Sequence, residues 1–397
     1  MNVQADSRPS SAYVIPLVLA LVGLTLAVAL IAAQSALSLL CCLVFATTAG
    51  AKAWSRLSLA RVRSQMHLEK SRLFPGESLA VRVEVQNQKL LPVWLQVSLP
   101  LTAAFASRPN ASDPAGKELA RDSGLLSHQQ VAFVWSVTCL RRGVHTLGPT
   151  LLTAGDPLGF FRKTRATDSC EVVVYPRLVA LQPLALARRD FYGRPGRRSP
   201  FEDPTYIQSL RDYQGGRPAR YIHWKASAHH NRMVEKLCES TEQEKVLLLL
   251  RADGFAADAF ESCLEVAASL AATLDRQGLS VGLTSNARLQ NGEHAQLKTS
   301  SHPGQLANLL ELLARVEAVP ARGLLSAVQA SRLPPLVSVV YFTYQLDADA
   351  SALLAWLRQR NVPVATVVCD SAWDTTQAQL PGAQAHRLAE LRAGASA

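Results

Sequence analysis

The rhythm of hydrophobic and polar positions changes twice along the chain. From Ser11 to Ala51 there is no Asp, Glu, Lys or Arg. Tyr13–Ala33 is apolar over the roughly 20 residues that a helix needs to cross a bilayer. Gln34 and Ser35 interrupt, and Ala36–Ala51 continues as a shorter apolar run. The stretch is too long for one helix and predicts a tight hairpin of two transmembrane helices. A secretory signal fits less well, because its charged start and single apolar run of roughly 7–15 residues are missing. Only Arg8, offset by Asp6, precedes the region. Lys52, Arg56, Arg61 and Arg63 follow it closely. Basic residues beside a span favour the cytoplasmic side, which places both termini and the body in the cytoplasm.

Past the anchor the period becomes two. Leu79, Val81, Val83 and Val85 alternate with polar neighbours, as do Val93, Leu95, Val97 and Leu99, and Val131, Phe133, Trp135 and Val137. Alternation of this kind describes strands with one buried face. Pro75-Gly76, Leu91-Pro92 and Arg142-Gly143 supply the breaks, and Val144–Leu152 and Glu171–Tyr175 read as further strands. Residues 100–128 are small, polar and irregular and read as a long loop. Short strands with turn signals and no helical period indicate an antiparallel sandwich or barrel.

The last third alternates strand and helix. Val246–Leu250, Leu279–Leu283, Leu336–Phe342 and Val362–Cys369 read as strands, the last being the final one. Ala257–Arg276, Gln305–Val316, Leu324–Arg332 and Ala348–Gln359 read as helices, and Asn291-Gly292 as a hairpin turn. Phe260, Leu264, Ala267, Leu270 and Leu274 make one apolar stripe. Strands separated by helices need crossovers, so a mostly parallel sheet is expected. The predicted fold class is therefore two N-terminal transmembrane helices, then an all-β sandwich-like domain, then an α/β Rossmann-like domain. The expected boundaries are 1–51, 52–180, a basic connector at 181–241, and 242–397.

Composition adds a few limits. Hydrophobic residues reach 48% and charged ones only 18%, below the roughly 25% usual in soluble domains. Forty-one Lys and Arg against 31 Asp and Glu give a net charge of +10, which suits an anionic neighbour. The seven cysteines show no CxxC pair, arguing against a zinc site or disulfide framework and for small buried hydrophobes in a reducing compartment.

The most distinctive stretch lies between the two bodies. It contains Leu210-Arg211-Asp212-Tyr213-Gln214-Gly215-Gly216, then Arg220-Tyr221-Ile222-His223-Trp224-Lys225-Ala226-Ser227-Ala228, then Met233-Val234-Glu235-Lys236. Arg142-Gly143, Gly155-Asp156-Pro157-Leu158-Gly159-Phe160 and Tyr175-Pro176-Arg177 precede it. In these motifs and their order the sequence resembles the domain-of-unknown-function family number fifty-eight. It departs at Gly216, where that signature usually has Asp, and at His229, where it often has Arg. The resemblance implies a C-terminal domain similar to von Willebrand factor type A and a place in a bacterial inner membrane. It also implies association with a MoxR-type AAA+ ATPase or with a membrane transglutaminase-like protein. It brings no settled activity.

A type A domain can hold a divalent ion in a D-x-S-x-S loop after its first strand, where hard oxygen ligands suit magnesium. Here the loop is Arg251-Ala252-Asp253-Gly254-Phe255, with one carboxylate, no serine and an adjacent guanidinium. A complete metal site is not expected, and Asp253 reads equally well as a helix cap. His223, His229, His230 and Cys238 match no zinc spacing. Trp224 reads as a buried anchor of the connector, with Arg220 or Lys225 bonding carbonyls or carboxylates such as Asp212 or Glu239. Arg188, Arg189, Arg194, Arg197 and Arg198 surround Phe191 and Tyr192. They could meet acidic lipid, an acidic protein patch or nucleic acid, the last being least favoured, or form a solvated basic loop. There is no G-x-x-x-x-G-K-[S/T], G-x-S-x-G or H-E-x-x-H motif.

The leading expectation is a non-enzymatic membrane-anchored adaptor without a cofactor. Its interaction or signature residues are Arg211, Tyr213, Arg220, His223, Trp224, Lys225, Arg194, Arg197 and Arg198. The alternative is an envelope-associated hydrolase or transferase with a site at the 211–230 junction.

Overall fold

The computed structural model describes residues 11–32, 34–107, 117–156, 159, 161–182, 202–214, 218–240, 245–290, 292, 294–320, 323–331, 333–334, 337–370 and 384–392. The chain divides into two compact units, Met1–Pro176 and Arg177–Ala397.

The first unit opens with α1 (Ser11–Ile31) and α2 (Ser35–Ser58). They pack where Gly23 faces the Phe45 ring and Thr25 Oγ1 lies 3.5 Å from Cys41 Sγ, small residues letting the backbones approach. At about 1.5 Å per residue, α2 exceeds the roughly 30 Å of a bilayer core. Among the described residues it is the helix long and apolar enough to span, whereas the described apolar part of α1, Leu17–Ile31, is shorter. One candidate span, not two, corrects the expected transmembrane pair.

The strands that follow are β1 (Val62–Leu68), β2 (Arg72–Leu73), β3 (Ser78–Asn87), β4 (Val93–Pro100), β5 (Phe105–Ser107) and β6 (Glu118–Leu125). They continue as β7 (Gln130–Cys139), β8 (Gly143–Leu147), β9 (Leu151–Gly155), β10 (Arg162–Ala166) and β11 (Cys170–Val174). They form sheets β1-β3-β7-β5, β10-β9-β4-β6 and β2-β11-β8, whose inward side chains share one core. The alternating residues of β3, β4 and β7 bury as the pattern requires, with Val81, Val83, Leu95, Val97 and Val137 at 0% exposure. The stretch read as a loop at 100–128 holds β5 and β6. Exposed Arg121, in the same row as buried Leu119 and Leu125, hid its alternation.

The end of α2 is tied to this unit by two cations. Lys89 Nζ donates to the carbonyls of Leu57, Ser58 and Ala60, and Arg165 donates to those of Leu59 and Val62. A helix leaves its last carbonyls unpaired, and positive groups there answer both the missing bonds and the negative end of the dipole. Burial, followed by the charge of Arg165, lowers the Lys89 pKa to about 8.

The second unit begins with β12 (Glu202–Asp212), a 3-10 turn at Ala219–Tyr221, α3 (Trp224–His230) and β13 (Val234–Ser240), with β12 and β13 antiparallel. Within the region read as a connector, the described residues 202–214 and 218–240 include an antiparallel strand pair. Next come β14 (Lys245–Leu250), α4 (Ala257–Arg276), β15 (Ser280–Leu289), β16 (His294–Ser300), α5 (Gln305–Arg315), β17 (Val316–Pro320) and α6 (Leu324–Ser331). The described chain closes with β18 (Val337–Thr343), α7 (Ala348–Gln359), β19 (Val364–Val368), β20 (Gln384–Arg387) and α8 (Leu388–Leu391).

The sheet runs β16-β15-β14-β18-β19-β20, with β17 also on β15. It is mixed: β14, β15, β18, β19 and β20 pair in parallel, while β16 and β17 run antiparallel to β15. This corrects the Rossmann-like expectation. The reason is local: a tight turn, with Gly292 at φ 80, can join only antiparallel neighbours, since parallel ones need a longer crossover. The helix read to Val316 also stops one residue earlier and feeds β17 directly. The strand at 362–369 is not the last, because β20 follows it.

Candidate interaction site

The described signature residues, Arg211, Tyr213, Arg220, His223, Trp224 and Lys225, lie on β12 and in the segment that leads from it to β13. Arg211 on β12 pairs through Nε with Glu235 on β13, whose side chain has 0% exposure. Asp212 takes a longer, exposed bond from Arg232 at 3.2 Å, a pair worth little in water. Tyr213 donates its backbone N–H to the Met233 carbonyl.

The chain then climbs through the 3-10 turn, where the Arg220 guanidinium lies 5.0 Å from the Tyr221 ring centre. Ile222, 5% exposed, bridges to Glu235 and plugs the hairpin. His223 is the N-cap of α3, its Nδ1 accepting from Ala226 N at 3.0 Å, which satisfies one of the helix's orphan donors. Its own N–H donates to the Val234 carbonyl. Ser227 Oγ accepts from Val234 N at 2.9 Å, locking α3 onto β13. Asn231, in the left-handed region at φ 49, ends the helix. The His223 ring nitrogen, the Arg211 guanidinium and the Asp212 carboxylate are therefore engaged in holding this hairpin together.

Trp224 corrects the sequence reading. Its side chain is not buried but 64% exposed. It occupies the first turn of α3, whose Ala226 N–H is capped by His223, and it is exposed where Ile222 is buried. Alternation placed Ile222 and Trp224 on one face, and the start of a helix between them breaks that alternation. Lys225 beside it is also exposed, as are His229, His230 and Arg232. Trp224 is thus a large exposed aromatic with basic side chains around it on a cross-braced backbone. Arg194, Arg197 and Arg198 lie outside the described residues.

The loop expected to be a vestigial ion site has another construction. Arg251 is 6% exposed. It donates to both oxygens of Asp347, at 2.5 and 2.8 Å, and to Asp253 Oδ2 at 3.0 Å, with Asp349 at 3.6 Å. Asn286 Nδ2 adds a bond to Asp253 Oδ2 at 2.7 Å and its Oδ1 accepts from Ala252 N. Asp253 does not cap α4, whose N-cap is Ala256; it answers Arg251 instead. A guanidinium fills the place among the carboxylates, and its bond to Asp347 holds that carboxyl below its ordinary 3.8. No group of three or more His, Cys, Asp or Glu that could hold a metal occurs among the described residues. Asp347 is also the N-cap of α7, accepting from Ala350 N. The cap was legible before the Ala348–Gln359 helix; its partner, 96 residues upstream, was not.

No family model matches the chain. Over 236 residues it is 25% identical to the uncharacterised protein YeaD of Bacillus subtilis (strain 168), covering 59% of this chain and 58% of that protein. The matched region therefore spans less than two thirds of the length of this curated relative. Among solved structures, a Salmonella alpha-2-macroglobulin mutant matches at a TM-score of 0.22 and 15% identity, over 32% of this chain and 8% of that one. The sporulation control protein Spo0M of Bacillus subtilis matches at 0.17 and 16%, over 29% and 49%. At these scores neither likeness bears on the fold.

Proposed function

We propose that the protein is a membrane-anchored, non-catalytic adaptor that meets its partner through the signature hairpin. The observation that carries this reading is Trp224: 64% exposed, yet seated on a backbone braced by the Arg211–Glu235 pair, the His223 cap and Ser227. Exposed aromatics on rigid supports are the side chains that dominate protein interfaces, because little entropy is lost when they dock. The helix long and apolar enough to span a membrane, α2, supports an anchor. Lys52, Arg56, Arg61 and Arg63 at and beyond its end support a body on the cytoplasmic side of a bacterial membrane. The motif resemblance to family fifty-eight supports a MoxR-type AAA+ ATPase as partner, with a membrane transglutaminase-like protein as a second partner class. The chain has no phosphate-binding loop of its own, so ATP hydrolysis falls to the partner.

The test is co-purification of the full-length chain, in detergent, with a co-produced MoxR-type ATPase. The wild type retains the ATPase. Trp224→Ala weakens retention at least tenfold with an unchanged melting temperature, and Lys225→Glu weakens it as well. No retention by the wild type overturns the adaptor reading. Equal retention by Trp224→Ala removes the hairpin as the contact.

A further inference from the structure

The strongest unassigned feature lies on the sheet β10-β9-β4-β6, on the face turned away from the core. A cleft of about 410 Å³ opens there, lined by Trp94, Gln96, Asp122, Thr153, Gly159 and Arg162 among others. That volume falls in the roughly 300–1,000 Å³ range of small-molecule sites.

Trp94 forms its floor. The ring is 71% exposed, although Val93 and Leu95 on either side are 3% and 0% exposed. It lies across the strand rather than standing out from it, because its partner in register on β6 is Gly124. A Cβ at Gly124 would come within 3.1 Å of the indole, so glycine there lets the ring lie close without being pushed aside.

Polar groups continue from this platform. Gln96 sits between Asp122 on β6 and Thr153 on β9, and Thr153 Oγ1 lies 3.0 Å from Thr164 Oγ1 on β10. Arg162 stands opposite Gly155. The end wall is formed by Asp156 and Gly159, between β9 and β10. Asp156 there is only 7% exposed. Its Oδ1 accepts from Phe161 N at 2.6 Å and its carbonyl accepts from Gly159 N at 3.1 Å. One bond to the carboxylate and one to the backbone carbonyl hold Phe161 and Gly159 against Asp156 at the edge of the cleft.

We infer that this cleft binds a saccharide, one pyranose ring stacked on Trp94. A flat aromatic surface accepts the C–H face of a sugar ring, while amide, carboxylate, guanidinium and hydroxyl groups at its margin bond the paired hydroxyls. The carboxylates of Asp122 and Asp156 outnumber the Arg162 guanidinium in the lining, so the cleft offers no net positive charge to an anion. An extended peptide would add to a free strand edge. Trp94 instead lies on β4, which is paired on both sides by β6 and β9.

The test is saturation-transfer NMR on the full-length chain in detergent with chitobiose, cellobiose and maltose as probes, and a proline-rich decapeptide as control. At least one disaccharide receives saturation on the C–H protons of one ring face. Its apparent Kd rises at least tenfold in Trp94→Ala, less in Trp94→Phe, and by an intermediate factor in Asp122→Asn. Trp224→Ala leaves it unchanged, which separates this site from the hairpin. If Trp94→Ala loses its fold, the Phe and Asn variants decide. Transfer to none of the three sugars, transfer indifferent to the variants, or preference for the decapeptide overturns the proposal.

Discussion

Arg251 shows how one side chain changes the character of a loop. With Arg251→Met, the carboxylates of Asp253, Asp347 and Asp349 would face each other without a counter-charge beside a largely buried position. The carboxylates left behind are 36%, 35% and 89% exposed, so water compensates part of the lost pairing, and the variant is expected to lose about 1–3 kcal/mol in urea unfolding, less than the roughly 3–5 kcal/mol of a fully buried pair. The pH dependence has a definite sign. Because Asp347 titrates below its ordinary 3.8 when folded, it contributes stability above that pH that is lost as pH falls through the folded value. Asp347→Asn should flatten the acid limb of the stability curve. Lys89 gives a slope of the same sign in a different pH window. Its folded pKa of about 8 lies below the ordinary 10.5, so the unfolded chain holds more protons between those values and stability rises with pH across that window. Lys89→Met should remove this slope, measured by thermal melting from pH 7.5 to 11. Neither residue's role was legible in the sequence. Arg251 and Asp253 are two apart, but Asp347 and the carbonyls beneath Lys89 are brought in by the fold.

At the level of elements, the hairpin separates what holds it together from what it displays. Ile222→Ala removes a buried branched side chain, and such truncations cost about 2–5 kcal/mol. Trp224→Ala removes a ring that already faces water, and its melting temperature should stay near that of the wild type. Equal destabilisation by the two variants in parallel melts would show Trp224 packed inside. The motif spacing identified this segment as distinctive. Which of two alternate residues pointed inward was settled by the helix start at Trp224, where a period of two gives way to 3.6. The same limit hid β6, β17 and β20. These are short, polar or edge strands whose side chains carry little periodic signal, and they form because a neighbouring strand offers them bonds.

For the whole molecule, α2 and the basic residues at its end determine orientation if the anchor reading holds. A reporter active only in the cytoplasm, fused after Ala397, should then work, and one active only outside should not; the reverse result would place the body where no cytoplasmic ATPase reaches it. The sequence by itself determined the apolar stretch near the N-terminus, the buried faces of β3, β4 and β7, and the helices Ala257–Arg276 and Ala348–Gln359, both found with those bounds. Each rests on a periodicity or composition contained within about 20 residues. Tertiary structure decided that the C-terminal sheet is mixed, that a guanidinium sits among the carboxylates at its strand ends, and that Trp94 lies flat on a glycine from another strand. The last two outcomes depend on residues 96 and 30 positions apart, and local pattern carries no record of such distances, because only the closed chain brings the partners within reach.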